Sequence, residues 1–212
     1  MKAKYWILSL LAVSAFGTNK VAAQEDLRDQ LGGGFKIGVN SANVYDTKSE
    51  DFDNEAKAGL ALGAYLSVPF GKVLGFQPEI MYSQKGYKAT GSILIADYKY
   101  TRRTDYIDVP LQLQIKPAPF LTILAGPQYS FLIKKGYDFD AGSISVDQQK
   151  EIEDVDIRKN ILGAVVGLDF NISRLVLSGR VSWDLQHNDG DGTSVSPRYK
   201  NVVAQATIGV RF

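Results

Sequence analysis

The sequence predicts an all-β protein, an eight-stranded antiparallel up-and-down transmembrane β-barrel. Three observations carry that expectation. Eight runs alternate apolar with small or polar residues, and each is close to the roughly 9–11 residues that a tilted strand needs to cross a bilayer. The connections alternate long and short, as in a meander whose two rims face different compartments. Aromatic residues gather where the runs end: Phe35, Phe70, Phe76, Phe120, Phe170 and Phe212 near short connections, Tyr82, Tyr129, Phe131 and Trp183 toward long ones. That is the layout of two interfacial girdles.

The elements follow in order. Lys2 and Lys4 precede an apolar run over residues 5–16, and Val21-Ala22-Ala23 supplies small residues before Gln24. Residues 1–23 therefore read as a cleaved secretory signal peptide and 24–212 as the barrel domain. About a dozen apolar residues are too few for a spanning helix, which needs roughly 20, so insertion must use strands. The first strand, 34–40, sets Phe35, Ile37 and Val39 against Lys36 and Asn40. An acid-rich long loop over 41–57 follows. The second strand, 59–70, puts Leu60, Leu62, Leu66, Val68 and Phe70 on one face, and Gly71-Lys72 turns the chain into the third, with Phe76, Pro78, Ile80 and Tyr82 opposite Gln77, Glu79, Met81 and Ser83.

Residues 84–105 form the second long connection, in which the two flanking strands are expected to continue past the membrane as a hairpin. The fourth strand alternates Ile107, Val109, Leu111, Leu113 and Ile115 with Asp108, Pro110, Gln112 and Gln114, and ends at Lys116-Pro117-Ala118-Pro119, whose prolines cannot continue a ladder. The fifth runs over 121–133, and a third long loop is expected over 134–159. The sixth, 161–170, and seventh, 175–184, are joined by Asn171-Ile172-Ser173-Arg174. A fourth long loop, 186–198, leads to the closing strand, 201–212. Its even positions from Val202 to Phe212 make one apolar face, with Val203 the exception on the other. An unpaired edge of this length is an aggregation hazard, so the pattern implies pairing back to the first strand.

Composition narrows the function classes. Twenty-four basic and 23 acidic residues leave a formal charge of +1, so no field attracts nucleic acid, and no nucleic-acid partner is expected. The absence of cysteine excludes disulfides and thiolate metal sites. The 20 glycines and 11 tyrosines suit a β-rich protein with tight turns. The competing architecture is a soluble lipocalin-like barrel with its apolar face around a ligand. Large aliphatics on one face and Gly and Ser on the other suit lipid outside a narrow lumen instead.

Several stretches together resemble the PorT-like outer-membrane β-barrel proteins of Bacteroidota. They are Gly32-Gly33-Gly34-Phe35-Lys36-Ile37-Gly38-Val39-Asn40, Phe76-Gln77-Pro78-Glu79-Ile80, Tyr106-Ile107-Asp108-Val109-Pro110-Leu111, Ala125-Gly126-Pro127-Gln128 and the closing strand. The resemblance spans the whole mature chain. It implies location in the outer membrane of a Gram-negative bacterium, contact with membrane lipid and lipopolysaccharide, and insertion by the barrel assembly machinery, with Phe212 as the assembly signal. It also implies a secretion-associated role or another envelope protein partner. With the first strand so close to the signal, no added periplasmic domain is expected.

The lumen of an eight-stranded barrel is just wide enough for its own side chains. The inward charges Lys36, Glu79, Asp108, Asp169, Arg180, Asp184 and Arg211 must then pair, since an isolated buried charge is costly. Arg180 and Arg211 are expected to meet Asp169 or Glu79. This structural plug contrasts with a proton or ion path. A lipid- or peptide-hydrolysing rim enzyme would need His187 as a general base near Asp184 and Asp189, but a lone histidine in a Gly/Asp-rich loop reads as a loop residue. Asp189-Gly190-Asp191-Gly192 and the acidic residues from Glu151 to Asp156 lack EF-hand spacing, so solvated loop charge is expected there in place of calcium. The sequence thus reads as a non-enzymatic envelope structural or interaction component with no catalytic residue, metal or cofactor.

Overall fold

The structure, a computed structural model, describes residues 26–45, 53–93, 96–141, 144–148, 158–188 and 199–212. The signal segment, the acidic stretch from Glu151 to Asp156 and Asp189-Gly190-Asp191-Gly192 lie outside them. Among the described residues there are nine strands: β1 Gly32–Tyr45, β2 Asp53–Pro69, β3 Leu74–Ile93, β4 Ala96–Ala118, β5 Leu121–Ala141, β6 Ile144–Gln148, β7 Asn160–Ile172, β8 Leu175–Asp184 and β9 Lys200–Arg211. All pairings are antiparallel. Strands β1 to β5 pair in succession, β5 pairs β7, and β8 and β9 carry the ladder back to β1. The ring is closed and eight-stranded, with β6 attached outside it to β5 alone.

The seam is the register Gly34↔Arg211 to Tyr45↔Lys200, extended by reciprocal backbone bonds between Gly33 and Phe212. Closure removes the edge that the last strand would otherwise present. The period-two faces fall as the sequence reads. Phe35 is 64% exposed, Ile80 56%, Leu113 62% and Val210 56%, whereas Lys36 is 1% exposed and Gln112 not at all. Large apolar groups therefore face out and polar groups face in, which overturns the soluble ligand-binding alternative: that barrel needs the reverse. Val203 is buried inside, as its odd position requires, and so are Leu124 and Val176.

The turns are built from local chemistry. Gly71 adopts φ +106° between β2 and β3, where Phe70 N–H donates to the Leu74 carbonyl at 2.8 Å. Only glycine holds such a backbone without strain. Ser173, between β7 and β8, sits at φ 56°. Within the wall the β2–β3 register shifts between Ala56 and Ala61. There the Gln84 side-chain oxygen accepts the Leu60 N–H at 3.1 Å, and a Cβ on Gly59 would lie 2.3 Å from the Gln84 carbonyl oxygen.

Two expected loops are corrected. Strand β1 continues to Tyr45 and β2 begins at Asp53, so both enter the stretch expected as loop over 41–57. The 134–159 stretch, also expected as loop, contains the end of β5 and all of β6, paired from Tyr137↔Gln148 to Ala141↔Ile144. The acidic residues that signalled a loop alternate there with Tyr137, Phe139, Val146 and Ile144, and period-two alternation is compatible with a strand whose polar side faces water. The expected 84–105 hairpin is present, with β3 and β4 paired out to Ile93↔Ala96.

Candidate functional site

The lumen is the candidate site, and its charges come from strands far apart in sequence. Lys36 on β1, Glu79 on β3, Asp169 on β7 and Arg180 on β8 meet on the barrel axis. Lys36 Nζ donates to Glu79 Oε1 at 3.3 Å and to Asp169 Oδ2 at 3.0 Å. Arg180 grips Glu79 with both terminal nitrogens, Nη2 to Oε1 at 2.7 Å and Nη1 to Oε2, and its Nη2 stands 3.7 Å from Asp169 Oδ1. Gln77 donates a further bond to Glu79 Oε1, and Lys36 Nζ lies 4.5 Å from the Tyr65 ring centroid. Two cations face two carboxylates, so the cluster is neutral. A fork-on-fork arginine–carboxylate pair is among the strongest charged hydrogen bonds, and in a dry interior it holds its geometry.

Toward the long-loop rim a second group forms. Lys85 Nζ donates to Asp108 Oδ1 at 2.9 Å and to Ser130 Oγ at 3.0 Å, and lies 4.7 Å from the Tyr106 ring centroid. Asp184 accepts from Asn201 through its backbone N–H at 3.1 Å and its amide at 2.6 Å. The Asp184 Oδ2 that a His187 mechanism would call on is thus engaged by Asn201. His187 is half-buried, and Asp189 lies outside the described residues.

At the short-turn end the chain before β1 folds across the opening. Arg28 donates to both oxygens of Asp26 at 2.9 Å, and this hydrogen bonding draws the half-buried Asp26 carboxyl down to about 2. Lys116 Nζ donates to the Arg28 carbonyl at 2.9 Å. Arg211 donates to the carbonyls of Leu27 and Gln30 at 2.9 and 3.1 Å, which corrects its expected pairing with Asp169 or Glu79. The reason is position: Arg211 is opposite Gly34 at the end of β9, below the level of the central cluster.

The seven charges expected in the lumen are thus distributed over three levels: Lys36, Glu79, Asp169 and Arg180 in the centre, Asp108 and Asp184 above, Arg211 below. Lys85 and Lys116, also buried, fall in stretches that the sequence reads as a loop and a turn. Extending the parity of Gln77, Glu79, Met81 and Ser83 by two residues reaches Lys85, and that of Gln112 and Gln114 reaches Lys116. Of the aromatic girdle, Phe35, Phe70, Phe120, Phe170, Phe212, Tyr129 and Phe131 are exposed on the outer surface, and Phe76, Tyr82 and Trp183 are half-buried on the same face. The Phe35 and Phe212 rings pack against each other at the seam, tilted by 45° with centroids 5.6 Å apart.

A cavity of about 10 Å³ lies beside Asp108 and Arg180, and one of about 20 Å³ near the short turns. Each is on the scale of a single water, and neither makes a channel. The sequence matches the family described as outer membrane protein beta-barrel domain over residues 22–190. The chain belongs to that family. This outer-membrane barrel accordingly resides in the outer membrane of a Gram-negative bacterium, with its short turns on the periplasmic side.

No curated protein matches this family member. Among solved structures it is similar to Ail, the attachment invasion locus protein of Yersinia pestis, with 14% identity and a TM-score of 0.46 over 85% of this chain and 98% of that one. It is also similar to Neisserial surface protein A, with 11% identity and a TM-score of 0.46 over 85% and 97% of the two chains. OprG from Pseudomonas aeruginosa shares 14% identity, with a TM-score of 0.38 over 86% of this chain and 94% of its own.

Proposed function

We propose that this protein is a non-enzymatic interaction component of the outer membrane, a plugged barrel that holds a β-sheet outside the bilayer for a protein partner. The observation that carries this reading is strand length. Strands β3, β4 and β5 have 20, 23 and 21 residues, whereas about 9–11 suffice to cross lipid. On β4 the outward positions are apolar from Ile115 to Ile107, and beyond the register shift between Asp105 and Tyr106 the next exposed residue is Arg103. The lipid band ends there, and the rest of β4 stands in water paired to β3 and β5. A lumen closed by a neutral ion cluster supports interaction over transport, and the engagement of Asp184 by Asn201 supports a non-enzymatic role.

The finer reading is a PorT-like, secretion-associated part, supported by Tyr106-Ile107-Asp108-Val109-Pro110-Leu111 and its companion motifs. Cross-linking in intact cells followed by mass spectrometry tests both levels. An envelope protein captured through the β3–β6 sheet is the expected result, and a secretion-apparatus component among the captured proteins supports the finer one. If removing residues 88–101 and 138–148 leaves every cross-link in place, the sheet is not the interaction surface.

A further inference from the structure

Three cations and one carboxylate line the cavity at the periplasmic mouth, with Asp26 and Asp29 of the segment before β1 beside them. Four charged residues line the cavity of about 20 Å³ there: Arg28, Lys116, Asp169 and Arg211. Asp169 already holds Lys36 at 3.0 Å and lies 3.7 Å from Arg180, and Arg28 is clasped by Asp26. Lys116 and Arg211 remain. Lys116 is 2% exposed, and its ammonium bonds the neutral Arg28 carbonyl, while Arg211 bonds the neutral carbonyls of Leu27 and Gln30. Among the described residues neither cation has a carboxylate within 4.0 Å. On the same wall the Tyr65 hydroxyl, in a residue 7% exposed, has no hydrogen-bond partner.

A buried charge satisfied only by carbonyl dipoles still lacks a counter-ion. We propose that the periplasmic mouth is a binding site for a carboxylate, whose two oxygens are taken by Arg211 and Lys116 with a further hydrogen bond from the Tyr65 hydroxyl. Geometry selects this class: a carboxylate has one oxygen for each of the two cations, and a charged hydrogen bond to each is the strong kind. Pro119 and Ser173 of the short turns also line the cavity, so the remainder of the ligand extends into the periplasm. The ligand therefore ends in its carboxylate, as a peptide C-terminus or a small organic acid does. This site is independent of the outer sheet and its partner.

The test uses the full chain, refolded in detergent micelles and isotopically labelled, titrated at constant ionic strength in chloride. Acetate, N-acetyl-alanine and inorganic phosphate are the three probes, and the readout is the amide resonances of Lys116, Arg211 and Tyr65. Saturable shifts with both carboxylates support a general carboxylate site, and saturation by N-acetyl-alanine alone narrows it to a peptide terminus. Lys116→Met and Arg211→Gln should each weaken binding about tenfold, the loss of one charged hydrogen bond. Arg28→Gln, whose arginine is held by Asp26, should weaken it less than about threefold. Heat-modifiable migration confirms that each variant is folded, and if one fails to fold the other carries the comparison. Absence of saturable shifts with either carboxylate, saturation by phosphate alone, or folded Lys116 and Arg211 variants that bind as the parent does would each overturn the proposal.

Discussion

Glu79 is the residue on which the lumen turns. Its two oxygens accept from Lys36, Gln77 and Arg180, and no other carboxylate of the central cluster has as many donors. Removing it leaves Lys36 dependent on Asp169 and Arg180 with only a 3.7 Å approach to the same group. Glu79→Ala should therefore destabilise the barrel by about 3–5 kcal/mol, read as a lower urea midpoint for unfolding from lipid vesicles. The Glu79→Ala, Arg180→Ala double variant should lose less than the sum of the two single losses, with a coupling of about 2 kcal/mol or more. Additive losses would show that the pair is not a unit. The inward placement of Glu79 was legible from parity, and Arg180 was one of two arginines expected to meet it or Asp169. The contact with Lys36 was not legible, because it lies 43 residues away and is brought level only by the stagger of a closed ring.

At the scale of elements, the faces of all eight wall strands were readable because lipid and lumen impose opposite preferences on successive residues. Strand ends were less readable. Outside the bilayer water tolerates either parity, so the continuations of β1, β2 and β5 looked like polar loop, and only backbone pairing defines them. Among the turns, Gly71 has a stated requirement: a left-handed φ of +106° with open space around the missing Cβ. Gly71→Ala meets no clash, so its cost isolates backbone strain and should be about 1 kcal/mol. Gly59→Val instead forces a Cβ against the Gln84 carbonyl at the register shift, and should lower the same urea midpoint further. Equal midpoints for the two variants would count against that account of the shift.

For the whole molecule, the plugged lumen and closed ladder make two observable statements. The purified barrel should migrate faster unboiled than boiled on a denaturing gel, since a closed antiparallel ring resists detergent until heated. Reconstituted into planar bilayers, it should show no steady ionic conductance, because cavities of about 10 and 20 Å³ do not connect the two sides. A stable conductance would mean that the central cluster opens in a membrane. The fold was largely legible in the sequence because a barrel wall repeats one rule eight times. The carboxylate-seeking mouth was not legible, because Lys116, Tyr65 and Arg211 belong to three strands that become neighbours only at one rim.

The seam between β1 and β9 has a consequence for the order of events in building the protein. Lys36 lies on the first strand and is answered by Asp169, 133 residues later, while Glu79 waits for Arg180. A chain entering the membrane strand by strand from its beginning would carry the Lys36–Glu79 pair into hydrocarbon before Asp169 and the Arg180 fork, which complete its coordination, had been delivered. The neutral centre thus acts as a timing constraint: the early strands must wait in a wet or protein-lined vestibule until the last third of the polypeptide has been exported, and then cross together.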